Sequence, residues 1–100
     1  MIKHIVIWKL KDYAEGADRA TNILKVKALL ESCANLVPGM LKLEVGIAAA
    51  PLEATGDVIL YSEFADLAAL QAYQVHAKHE AIKPFIGAVR LERQCMDYEV

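Results

Sequence analysis

Ile2-Lys3-His4-Ile5-Val6-Ile7-Trp8-Lys9-Leu10-Lys11 places Ile2, His4, Val6, Trp8 and Leu10 on one face of an extended chain. Lys3, Ile5, Ile7, Lys9 and Lys11 fall on the other. Side chains of a strand point alternately to opposite faces, so this is the period of a β-strand. Its centre is apolar on both sides, and such a strand needs cover above and below. From about Asp18 to Leu36 the apolar positions change to helical spacing, through Ile23, Val26, Leu30, Cys33 and Val37. Pro38 and Gly39 stop that helix. A second strand is expected from Leu41 to about Ala48, with Leu41, Leu43, Val45 and Ile47 on one face. Ala49 to Gly56 reads as a loop, and Asp57 to Phe64 as a third strand. Asp66 is a candidate N-cap for a helix that carries Leu67, Leu70 and Tyr73 and ends near His76. Pro84 is expected in the first turn of another helix, where its missing N–H costs little. Leu91 to Val100 supplies a final strand.

Strand, helix, two strands, helix, strand is the ferredoxin-like order βαββαβ, an α+β fold with a four-stranded antiparallel sheet and its helices on one face. The helices can cover only one side. Ile5, Ile7, Ile59 and Tyr61 lie opposite Val6 and Leu60 and need another partner. A second copy packed sheet to sheet in a C2 homodimer would form a barrel-like core. Composition agrees: 56% of the 100 residues are hydrophobic and mean hydropathy is +0.27, more apolar material than so small a body readily hides. Residues 1–100 are read as a single domain.

The net charge of -2, with Lys and Glu interspersed, leaves no basic stripe for nucleic acid. No apolar run reaches the roughly 18 to 20 residues that cross a bilayer, and the first residues enter a strand without a signal-peptide layout. The chain reads as cytoplasmic, without a membrane partner. Cys33 and Cys95 lie in apolar periodic segments without metal-type spacing, and both read as reduced, buried thiols.

Several stretches carry a family resemblance. They are the opening Lys3 to Lys11, the central Val37-Pro38-Gly39-Met40, the run from Phe64 to His79 with its Tyr73-x-x-His76-x-x-His79 pattern, and the closing Asp97-Tyr98. Together they resemble the stress-responsive dimeric α/β-barrel (Dabb) family over nearly the whole chain. Ala77 departs from the proline that the family often has after the first of those histidines. The resemblance implies a homodimeric barrel with strands packed across the interface and helices outside. It implies less about activity: most members have no assigned reaction, although a plant member is a cofactor-independent polyketide cyclase. By motif position its tyrosine and histidines correspond to Tyr73, His79 and His4.

The residues allow two kinds of reading. His4 shares a face with Val6 and Trp8 and is either a hydrogen-bonded core histidine or a proton-transfer group in an apolar setting. His79 and Tyr73 are a turn histidine and a packed tyrosine, or a base and a carbonyl-orienting phenol lining one pocket. Val6, Trp8 and His76 are the expected pocket walls. His76 and His79 could share a transition metal, but no third ligand stands close in sequence, and no metal is expected. No phosphate loop, nucleophile elbow or Cys/His dyad calls for a cofactor. A domain that binds a small apolar or carbonyl-containing ligand leads. A cofactor-independent lyase or cyclase is its rival, and a cofactor-free monooxygenase rests on fold analogy alone.

Overall fold

A computed structural model describes residues 1–100. β1 (Ile2–Leu10) is followed by a short hairpin, β2 (Tyr13–Ala14) and β3 (Ala17–Asp18), and then by α1 (Arg19–Glu31). β4 (Met40–Ile47), β5 (Val58–Phe64), α2 (Leu67–Val75), α3 (Ala77–Val89) and β6 (Arg90–Glu99) complete the chain. The four long strands form an antiparallel sheet in the order β4-β5-β1-β6. This is the ferredoxin-like arrangement that the element order implies.

Register carries the alternation of β1 across the sheet. Val6 pairs with Leu60 on one side and Cys95 on the other, and His4 with Ser62 and Asp97. The face holding Val6, Trp8, Leu60 and Phe64 is covered by the helices, and together with Val26, Leu30, Leu70, Tyr73, Ile82 and Ile86 it forms the buried core. The opposite face of the sheet carries no helix. No helix is long and apolar enough to cross a membrane.

Local chemistry sets the helix ends. The Asp18 carboxylate accepts from the Thr21 N–H at 2.8 Å and opens α1, and the Asp66 carboxylate accepts from Ala69 at the same distance and opens α2. α1 ends at Glu31, short of the expected Leu36. Ser32 donates its hydroxyl to the Leu29 carbonyl at 2.6 Å, and Asn35 turns left-handed at φ 59. Gly39, at φ 86, lies where an added Cβ would come within 2.9 Å of the Ala69 methyl, so α2 approaches the backbone closely there.

Four further details differ from the sequence-based expectation. The β2–β3 hairpin was not anticipated; Glu15 and Gly16 both have positive φ, as a tight hairpin turn requires. The buried Asn22 amide donates to the carbonyls of Ala14 at 2.9 Å and Ala17 at 3.3 Å, tying that hairpin to α1. Leu41 leaves the face it was expected to share with Leu43, because the register slips between Met40 and Lys42 and turns it outward. Pro84 lies inside α3 rather than in its first turn, since the helix already starts at Ala77 under the His76 cap. Finally, both cysteines are free, but Cys95 is exposed, because β6 is an edge strand that no helix covers.

Candidate functional site

Because α3 leans over α1 and α2 and leaves β6 bare, a gap remains between α3 and the sheet. It is a cavity of about 630 Å³, within the size range of small-molecule sites. Val6, Trp8, Leu60 and Ile86 supply apolar walls, His4 and His79 supply imidazoles, and Lys83, Arg90 and Arg93 supply positive charge.

His4 is 3% exposed, and its Nδ1 pairs with the Asp97 carboxylate directly across the β1–β6 ladder. A carboxylate at Nδ1 favours the tautomer with its proton there, which leaves Nε2 as the acceptor. Phe64 braces the imidazole edge-on, with centroids 6.4 Å apart. Strand pairing thus positions this histidine, and only the fold could bring Asp97 to it.

His79 lies in the first turn of α3, where Nδ1 donates to the Gln74 carbonyl at 3.2 Å. Burial holds its pKa below the usual histidine value against the opposing pull of the Gln74 carbonyl, while Lys83 adds to the lowering. His79 is therefore biased toward the neutral ring that a base needs.

Tyr73 does not reach the cavity. It is fully buried between Phe64, with centroids 5.2 Å apart, and His79, at 4.5 Å. Burial drives the phenol pKa well above the ordinary tyrosine value, and its hydroxyl has no hydrogen-bond partner. Tyr73 stands behind His79 as a packing support. His76, expected in the pocket wall, is not part of it. Its Nδ1 accepts from the Lys78 N–H at 3.1 Å, because the residue between two consecutive helices must cap the second. Val6 and Trp8 do line the cavity, and the buried indole N–H of Trp8 has no acceptor.

His76 and His79 each engage Nδ1 in a hydrogen bond, and neither belongs to the cluster of possible metal ligands in the structure. A different trio does converge: the ligand atoms of His4, Cys95 and Asp97 lie within 4.8 Å of one another, a nitrogen, sulfur and oxygen set of the kind that suits zinc. Sequence reasoning missed Asp97, Cys95, Lys83, Arg90 and Arg93 as site residues. Alternation alone puts Arg93, Cys95 and Asp97 on one strand face, but it does not tell that they meet His4.

Residues 2–100 match the stress responsive A/B barrel domain, Dabb. The chain belongs to this family. A dimeric protein of unknown function and ferredoxin-like fold from Bacteroides fragilis is 31% identical to this Dabb chain, over 99% of this chain and 95% of the other, with a TM-score of 0.82. A dimeric ferredoxin-like protein of unknown function from Thermobifida fusca shares the fold at 17% identity, covering 99% and 90%, with a TM-score of 0.84. An antibiotic biosynthesis monooxygenase shares it at 17% identity, covering 100% and 98%, with a TM-score of 0.74. No curated protein matches the Dabb chain.

Proposed function

We propose that this Dabb protein is a cytoplasmic, stress-associated homodimer that binds a small, largely apolar ligand between α3 and the sheet. The observation that carries the reading is the cavity itself, walled by Val6, Trp8, Leu60 and Ile86 and left open because no helix covers β6. The dimer is supported by the uncovered apolar face and by the description of the 31% identical Bacteroides fragilis protein as dimeric. A neutral apolar fluorophore, N-phenyl-1-naphthylamine, tests the binding. Saturable binding of one molecule per chain is expected, and it is lost when Ile86→Trp fills the cavity. Binding that never saturates, or that survives the filling substitution, refutes the reading.

The second reading is a cofactor-independent lyase or cyclase, favoured by two imidazoles in one cavity with Asp97 holding one of them. His4 Nε2 or His79 removes a proton next to a substrate carbonyl, and Tyr73 acts through His79 as a positioning residue. Deuterium exchange at the α-carbon of 2-decanone, followed by NMR, tests it. Exchange above the buffer rate that falls about 100-fold in His4→Ala or His79→Ala supports catalysis; exchange at the buffer rate in the unaltered protein excludes it for simple ketones.

A further inference from the structure

We infer that the cavity between α3 and the sheet selects an amphipathic anion, a carboxylate head on an apolar tail, over a neutral molecule of the same length. The inference deepens the binding reading above and rests on it. The chain as a whole carries a net charge of -2, yet the cavity walls hold Lys83, Arg90 and Arg93 against the single carboxylate of Glu80. Positive side chains therefore outnumber acidic ones in this lining.

The nearby acids are already engaged. Glu80 accepts from Lys83 at 2.6 Å, and Asp97 is held by His4. Neither Arg90 nor Arg93 has a carboxylate within ion-pair distance, so two guanidinium groups stand at the solvent edge of the cavity without an acidic partner. A guanidinium presents a planar fork that a carboxylate fills with two hydrogen bonds, which a neutral hydroxyl cannot match. The wall behind them is apolar and fits a tail. Trp8 lines the same cavity at 5% exposure, and its indole N–H, buried beneath the surface, has no acceptor.

Trp8 is also the only tryptophan in the chain, so its fluorescence reports the cavity directly. Decanoate and 1-decanol, which share a ten-carbon chain and differ in head charge, are titrated separately into the full-length protein. Decanoate is expected to bind about tenfold more tightly than decanol. Arg90→Gln and Arg93→Gln each reduce that preference and together remove it, whereas Lys27→Gln, remote on α1, leaves it intact. Raising the salt concentration weakens decanoate alone. Far-ultraviolet circular dichroism checks that the variants, altered at exposed positions, keep the fold. Equal affinity for the two ligands, or a preference that survives the double substitution, overturns the anion selectivity while leaving the pocket reading standing. Binding of neither ligand overturns both.

Discussion

The two faces of the sheet are made from the same strands and meet different fates. Val6 and Leu60, on the helix-covered face, are each 1% exposed, whereas Ile7 and Ile59, their neighbours in sequence, are each 38% exposed. The residue types are alike, so the difference comes from cover: the three helices cover one face over β1 and β5, leave β6 bare and leave the other face open. The open face is arranged like an interface, with Ile5, Ile7 and Ile59 at its centre and a polar rim around Tyr61. Lys3 and Lys42 stand 5.7 and 5.6 Å from the Tyr61 ring, and the Tyr61 hydroxyl donates to Glu63 at 2.6 Å. One face holds the chain together; the other is suited to a second chain.

Substitutions on the two faces should therefore separate by kind as well as by size. Phe64→Ala, on the covered face, is expected to cost about 3–5 kcal/mol in denaturant unfolding, whereas Ile59→Ala costs about 1 kcal/mol or less within the chain. Equal losses would erase the distinction between the faces. Next in size, Ile7→Glu should weaken the proposed dimer about 100-fold, near 3 kcal/mol, by sedimentation equilibrium while circular dichroism stays that of a folded chain. A dimer unaffected by that charge would mean that association uses another surface.

Smaller effects refine the covered side. Asp66→Ala removes the acceptor for the Ala69 N–H and should lower stability by about 1 kcal/mol without altering association. The smallest expected effect is the dependence on pH. His79 has a folded pKa below its ordinary 6.5, so the unfolded chain takes up a proton first as the pH falls. Stability is then complete above 6.5 and declines as the pH drops through that value toward the folded pKa. His79→Gln should flatten this slope in denaturant midpoints measured from pH 8 to 5; an unchanged slope would assign it to other groups.

Most of the fold was legible because it depends on period. Alternation through Ile2 to Lys11, helical spacing through Ile23 to Leu30 and the cap at Asp66 are local signals, and each corresponds to an observed element. The misplaced details are those where a local rule met a competing contact. Pro84 suggested a helix start, but the His76 cap begins α3 earlier and the helix runs through the proline. Leu41 followed the alternation until a bulge removed it. Cys95 looked buried by its apolar neighbours, yet an edge strand has no layer above it.

The site was less legible for the same reason. His4, Val6, Trp8 and His79 could be named from the face of a strand and a motif, and the fold places all four around one cavity. Tyr73 and His76 belonged to the same motif, but the helix turns one inward behind His79 and makes the other a cap. The sequence by itself determined the order of elements, the two apolar faces of β1 and the shortage of helices to cover both, since these follow from spacing and chain length. Only the tertiary structure decided that Asp97 meets His4, that Arg90 and Arg93 border their cavity and that β6 lies bare. Those relations join residues as far apart as the two ends of the chain, and strand register, which no local period encodes, is what brings them together.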